Sequence, residues 1–159
     1  MDKINELTDD LLVKILSFVP ATVAVSTSIL SKRWEFLWMW VPKLEYIDYN
    51  DMTVANRSRS SYLDFINKNM SLRRAPIIES LLLGFYIRSL QPEDLKVWLG
   101  IAVSRCVREL SINYSSCSEE PDLVLPTSLY TCKSLVTLEL EGRDVLVDMM
   151  FLLRFVSLP

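Results

Sequence analysis

The stretch from Leu7 to Trp38, LTDDLLVKILSFVPATVAVSTSILSKRWEFLW, decides how the N-terminal part of this chain folds. Large apolar residues recur in it at helical spacing, and the prolines at positions 20 and 42 mark where helices end. We therefore predict three short helices, spanning residues 8–19, 21–30 and 32–39. Thr8 or Asp9 is the expected cap of the first helix, and Ser31 that of the third.

The first predicted helix carries more apolar surface than a single buried stripe needs. Its large residues are Leu11, Leu12, Ile15, Leu16, Phe18 and Val19, which together cover more than half of the helix circumference. A module this small gains only about 3–5 kcal/mol from its own core. Part of its apolar surface must therefore contact something else, which is either the rest of the chain or a partner protein.

Composition excludes several classes of function. The chain has 159 residues, of which 50% are hydrophobic and 23% charged, and this balance is typical of a globular protein. Its net charge of −3 offers no field that would attract nucleic acid. It contains no histidine, which removes histidine-based catalysis and histidine metal ligands. We predict no cofactor, no metal site and no catalytic residue.

Cellular location is predicted from the cysteines and the apolar segments. Cys106, Cys117 and Cys132 are widely spaced and odd in number, which favours reduced thiols. The N-terminus MDKINELTDD lacks the apolar region of a secretion signal. The apolar run from Val145 to Pro159 is interrupted by charges and is too short to span a bilayer. We therefore expect an intracellular protein of the nucleus, the cytoplasm or both, without membrane or nucleic-acid partners.

A second pattern recurs after the N-terminal module. Three segments share the spacing apolar-x-x-Leu-x-apolar, at residues 78–83, 107–112 and 135–140, with central leucines Leu81, Leu110 and Leu138 standing 29 and 28 residues apart. This spacing is typical of leucine-rich-repeat strands. The segment 44–49 could be a degenerate first strand, and helices are expected at 61–72 and 92–106. A short strand is possible at 123–125.

The motifs together resemble a known family. The run L-x-D-D-L-L-x-K-I-L-S-F-x-P and the ending S-K-R-W-x-x-L-W resemble the F-box of plant-type F-box/leucine-rich-repeat proteins, including the subgroup with an FBD domain. One departure is Thr8, where the family usually has a proline that touches the adaptor. The implied fold is α+β to α/β, a three-helix F-box followed by a short, irregular leucine-rich-repeat solenoid. The expected division is an F-box at 1–42, a linker and helix at 43–76, and about three repeats at 77–159.

The resemblance implies a non-catalytic function. F-box modules dock on the adaptor subunit of SCF ubiquitin ligases, which links them to a cullin, while the rest of the protein recruits a substrate. The residues that we expect to contact the adaptor are Leu7, Thr8, Leu11, Leu12, Ile15, Leu16, Pro20, Val23, Val25, Leu30 and Trp34.

Two other interpretations remain open from the sequence. The chain could be a leucine-rich-repeat scaffold for protein interactions whose N-terminal helices merely cap the repeats, and Thr8 in the proline position supports that interpretation. It could also be an inert product. Because the family usually continues with further repeats, we expect that the chain is truncated at its C-terminus, with the apolar run after Val145 as an alternative cap or binding tail.

Overall fold

The computed structural model describes residues 3–47, 56–85, 92–114, 123–141 and 145–146. The α-helices are α1 (Asp9–Leu16), α2 (Ala21–Ser26), α3 (Asn56–Ser71), α4 (Pro92–Ser104) and α5 (Thr127–Tyr130). The strands are β1 (Lys43–Ile47), β2 (Ser80–Phe85), β3 (Glu109–Tyr114), β4 (Leu123–Val124), β5 (Thr137–Glu141) and β6 (Val145–Leu146). Cys117 and most of the apolar run after Val145 lie outside the described residues.

The main sheet is parallel and has the strand order β1-β2-β3-β5. Strands occur at all three segments predicted from the leucine spacing, each beginning about two residues later than expected. The central leucines lie opposite one another, Leu81 against Leu110 and Leu110 against Leu138. The short strands β4 and β6 pair in parallel as a separate ribbon. The chain therefore combines helices with a small parallel sheet.

The first strand joins this sheet in a register different from the predicted one. Leu44 lies opposite Leu81, so it occupies the central leucine position. The repeated spacing thus begins at Val41, and Val41, Leu44 and Tyr46 are all buried. The sheet starts inside the stretch predicted as a linker, because the strand follows the N-terminal module without an intervening loop.

One face of the sheet packs against helices α3, α4 and α5. Alternate strand residues point to this side, as the pleat requires, and the buried ones include Leu81, Leu83, Leu110 and Ile112. Trp98 of α4 fills the centre: its ring stacks on Phe85 at 5.4 Å, and its Nε1–H donates to Asn67 Oδ1 at 2.6 Å. None of the described helices packs against the opposite face of the sheet.

The prediction of a third α-helix in the N-terminal module is wrong. Residues 32–36 form turns, and a 3-10 segment spans Leu37–Trp40. In an α-helix the carbonyl of Glu35 would accept the N–H of Met39. Here that carbonyl accepts the indole N–H of Trp38 at 3.1 Å, and the N–H of Met39 donates to Phe36 at 3.1 Å. The tighter winding turns Trp34, Leu37 and Trp38 into the module core.

The second helix is also shorter than predicted. α2 ends at Ser26, and a 3-10 segment continues over Thr27–Ile29. The hydroxyls of Ser26 and Thr27 donate to backbone carbonyls of the preceding turn, at 2.7 and 2.6 Å. Such side-chain bonds compete with the helical pattern, which explains the early end.

Candidate functional site

Helix α1 presents apolar side chains on two sides. Leu12 and Leu16 are buried in the module core with Ala24 and Trp38. Leu11 and Ile15 stand one helical turn apart on another side, and they are 47% and 43% exposed. Phe18 lies in the turn that follows α1 and is 78% exposed. A short helix therefore carries a second apolar stripe that the described part of the chain leaves exposed.

The neighbouring segment extends this exposed apolar surface. Pro20 and Val23 are exposed, and so are Ile29 and Leu30 at the end of the second helical segment. Val25 is half-buried and packs against the module core. The module thus exposes apolar side chains from both of its helical segments.

The ends of the module are held together by Arg33. Its guanidinium forms an ion pair with Asp9 at 2.8 Å and also donates to the backbone carbonyl of Leu7. Asp9 and Asp10 lie in the first turn of α1, where the helix dipole favours negative charge. Thr8 occupies the cap position with extended backbone angles, but its side chain forms no capping hydrogen bond there. Thr8 therefore does not cap the helix with its side chain, and Arg33 fixes the chain before the helix by donating to the Leu7 carbonyl and to Asp9.

The predicted contact residues divide into two groups. Leu11, Ile15, Val23, Leu30, Thr8 and Pro20 are exposed, and Leu7 and Val25 are half-buried. Leu12, Leu16 and Trp34 are not surface residues, because all three are buried in the module core. A contact between the adaptor and these three residues stays a prediction, and their burial in the free chain argues against it. The periodicity marks both sides of α1 as apolar and does not separate the inner side from the outer one.

The N-terminal module also exposes large apolar residues that were not predicted as adaptor contacts. They are Phe18, Ile29, Phe36, Trp40 and Ile4. The sequence held a signal for Phe18, which follows Leu11 and Ile15 at the spacing of successive helical turns. No comparable periodicity marks Phe36 or Trp40, because they lie in a segment that is not an α-helix.

A buried polar network joins the module to the sheet. Arg73 at the end of α3 donates to the carbonyl of Trp38, to Asn69 Oδ1 and, at 3.4 Å, to the carbonyl of Val41. The Tyr46 hydroxyl also donates to Asn69 Oδ1. Burial lowers the pKa of the Arg73 guanidinium and raises the pKa of the Tyr46 hydroxyl, and their mutual attraction opposes both shifts. The network fixes the module rigidly against the sheet.

Backbone contacts reinforce the same junction. The N–H groups of Arg74 and Ala75 both donate to the carbonyl of Met39, at 2.9 and 3.2 Å. Ala21 of α2 belongs to the core that lies beneath the sheet. The exposed apolar surface of the module is therefore held in a fixed relation to the sheet.

The described residues contain no group of three potential metal ligands. In that same part of the chain, no helix has the length and apolar character needed to cross a membrane. The candidate site is the exposed apolar surface of the module, with the ion pair of Arg33 and Asp9 beside it.

Comparison with known proteins agrees with this description of the module. Residues 4–46 match the family model of the F-box domain. An F-box/LRR-repeat protein of Arabidopsis thaliana is 59% identical over 93% of this chain, which corresponds to 34% of that relative. Two FBD-associated F-box proteins of the same plant are 55% and 51% identical, over 93% and 100% of this chain and 36% and 37% of their own lengths. The chain thus spans about a third of these relatives. No solved structure matches.

Proposed function

We propose that this chain, which has an F-box domain at its N-terminus, is the substrate-recognition part of an SCF-type ubiquitin ligase. The exposed apolar surface of the module docks on the adaptor subunit, and the adaptor connects it to a cullin. The sheet faces the substrate. The chain is non-catalytic in this proposal, since other subunits transfer ubiquitin, and it works in the nucleus, the cytoplasm or both.

The uncovered stripe on α1 is the observation that carries the proposal. Leu11 and Ile15 stand one turn apart on the exposed side of the helix, and Phe18, Val23 and Leu30 add to the exposed apolar surface of the module. Contiguous exposed apolar surface on a soluble domain marks a site of interaction. Helix α1 does not need these residues for its own packing, because Leu12 and Leu16 already supply its buried side.

The expected energetics fit specific binding. Full burial of a leucine, isoleucine or phenylalanine side chain contributes roughly 1.5–3 kcal/mol. Association itself costs roughly 4–15 kcal/mol. The burial free energy of the five exposed apolar side chains named above exceeds this cost only when most of them are well buried in the complex. Adaptor capture should therefore be sensitive to the loss of any two of them.

The test is co-expression of the full chain with an adaptor subunit, followed by co-purification. The variant Leu11→Glu/Ile15→Glu places charge on the exposed stripe and leaves the buried side of α1 intact. The matched control is Leu72→Glu/Val97→Glu, which charges two apolar residues of similar exposure outside the module.

Capture by the wild type and by the control, with loss in the α1 variant, is the expected result. Absence of capture by a folded wild-type chain would overturn the proposal. Equal capture by all three chains would show that the interface with the adaptor does not include Leu11 and Ile15. Circular dichroism of each variant checks that its fold is retained.

The region after the module is proposed to be a leucine-rich-repeat solenoid. Leu44, Leu81, Leu110 and Leu138 lie in one row across four parallel strands, and helices α3 and α4 return on the same side of the sheet. Repeats of this kind bury a continuous core by stacking on their neighbours. In the proposal, this region supplies the substrate-binding surface.

A second candidate function is a protein-interaction scaffold without ligase association. The tight junction between module and sheet favours it, because Arg73 and the carbonyl of Met39 bind the module as an N-terminal cap of the sheet. A cooperatively folded monomer that captures no adaptor would support this alternative over the first.

A further inference from the structure

On the face of the sheet that lies away from the helices, the side chains of neighbouring strands are aligned in rows. Because the register is fixed, its residues form three rows across β1, β2, β3 and β5. The first row is Lys43, Ser80, Glu109 and Thr137, the second is Glu45, Leu82, Ser111 and Glu139, and the third is Ile47, Gly84, Asn113 and Glu141. We call this surface the open sheet face.

The open sheet face carries a strong excess of negative charge. It holds four glutamates and a single lysine, Lys43, which stands on the edge strand β1. Within the described part of the chain, none of these glutamates forms an ion pair with a lysine or arginine. Glu141 accepts a hydrogen bond from Asn113 Nδ2 at 2.8 Å. The charges of Glu109 and Glu139 are thus left uncompensated.

A shallow groove of about 150 Å³ runs between these two carboxylates. It is lined by Ser80, Leu82, Glu109, Ser111, Thr137 and Glu139. Three of its lining residues carry hydroxyl groups, Leu82 adds an apolar contact, and the two glutamates stand on the neighbouring strands β3 and β5. Neighbouring strands lie about 5 Å apart, so both carboxylates are within reach of one bound side chain.

We infer that the open sheet face binds an extended, arginine-containing segment of a protein partner. An arginine places its aliphatic stem against apolar surface and its charged head toward carboxylates. Its planar guanidinium forms paired hydrogen bonds with carboxylate oxygens, and serine or threonine hydroxyls accept its remaining N–H groups. The same glutamates repel phosphate, so the charge pattern opposes a nucleic-acid partner.

This inference rests on the proposed function, since it identifies the chemistry of the substrate that the sheet would recruit. It concerns a different surface from the apolar stripe on α1. The two proposals therefore fail independently, and each has its own measurement.

The experiment measures fluorescence anisotropy of a labelled peptide titrated with the full chain. The peptide alternates three arginines with glycine and serine, and a matched peptide carries uncharged citrulline in place of each arginine. The variant Glu109→Gln/Glu139→Gln removes the two carboxylates of the groove. The control Glu35→Gln/Glu93→Gln removes the same charge from exposed positions elsewhere.

Binding of the arginine peptide should weaken by about tenfold in the groove variant, as expected for loss of a charge-assisted hydrogen bond. The control variant should change affinity by less than about twofold, because distant surface charges are screened by salt. The citrulline peptide should show no binding. Equal weakening in both variants, or equal binding of both peptides, would overturn the inference.

Adaptor capture by the groove variant separates the two proposals. It should equal that of the wild type, because Glu109 and Glu139 lie outside the module. Failure of adaptor capture by the wild type, together with selective arginine-peptide binding, would refute the ligase proposal and leave the open sheet face as a scaffold surface.

Discussion

The guanidinium of Arg73 lies over the indole ring of Trp38, 5.5 Å from its centre, and donates to the carbonyl of the same tryptophan. Trp38 belongs to the core of the module, whereas Arg73 lies two residues beyond the end of α3, the helix that packs under the sheet. One side chain thus makes both a cation–π contact and a hydrogen bond to the neighbouring unit. This pair holds the F-box module and the sheet as one body.

Replacement of Arg73 by methionine should lower the free energy of unfolding by about 2–4 kcal/mol, because it removes the buried hydrogen bonds that the guanidinium donates to the carbonyls of Trp38 and Val41 and to Asn69. The measurement is urea denaturation of both chains. Arg74→Met is the matched control, since the neighbouring side chain is exposed, and it should change stability by less than about 0.5 kcal/mol. Equal effects of the two substitutions would contradict the assigned role of Arg73.

Asn69→Asp should make stability more sensitive to acid. The Nδ2 of Asn69 is buried without a partner, while its Oδ1 already accepts from Arg73. A carboxylate there removes the unpartnered donor and gives the guanidinium a counter-charge, which holds the carboxyl pKa below its unfolded value of about 3.9. The added stability is therefore present above that value and is lost as the pH falls through the folded pKa.

Urea denaturation at pH 7 and pH 3 tests this prediction. Relative to the wild type, the variant should lose at least about 1 kcal/mol between the two conditions. A difference between the chains that is the same at both pH values would show that the carboxylate is not stabilised by Arg73.

Cys106→Gly should raise the free energy of unfolding by about 0.5–1 kcal/mol. Cys106 has a φ of 51°, a left-handed conformation that glycine adopts without steric cost. It follows α4, where its N–H donates to Val103 and the next N–H, of Val107, donates to Ala102. Cys106→Val should destabilise, because a β-branched side chain is poorly tolerated there. Thermal unfolding of both variants measures the difference, and a stabilising valine would contradict it.

Replacement by alanine should destabilise the protein to very different extents at two neighbouring leucines of α1. Leu12→Ala should cost about 2–5 kcal/mol of stability, since Leu12 is fully buried. Leu11→Ala should cost less than about 1 kcal/mol, since Leu11 is half exposed and alanine favours helix. Adaptor capture should weaken for Leu11→Ala in its folded state. A large stability loss at Leu11 would show that its side chain packs within the chain.

The strand positions were predictable because they depend on a pattern of period two with a large residue at its centre. The leucines Leu81, Leu110 and Leu138 stand at nearly equal spacing, and the structure pairs them directly. The first strand was harder to align, because its apolar series runs on through Tyr49 and offers more than one register. Pairing with β2 places Leu44, and not Ile47, opposite Leu81.

The orientation of α1 and the burial of Arg73 were not predictable from the sequence. Both sides of α1 are apolar, so periodicity alone does not distinguish Leu12 from Leu11. An arginine is ordinarily a surface residue. The carbonyls of Trp38 and Val41, more than thirty positions away in the chain, accept hydrogen bonds from Arg73 in its buried position. The prediction of the third helix was wrong for a local reason. The indole N–H of Trp38 donates to the carbonyl of Glu35, which would accept a backbone N–H in an α-helix.

The four aligned leucines stand 37, 29 and 28 residues apart, yet their register across the sheet does not change. Crossover length and strand alignment are thus set by different parts of the chain. Lengthening a connection costs little entropy, whereas a one-residue slip of a strand would turn its leucines outward. Insertions can therefore accumulate on the helical side of the protein over evolution while substitutions on the strands alone redefine what the opposite side recognises.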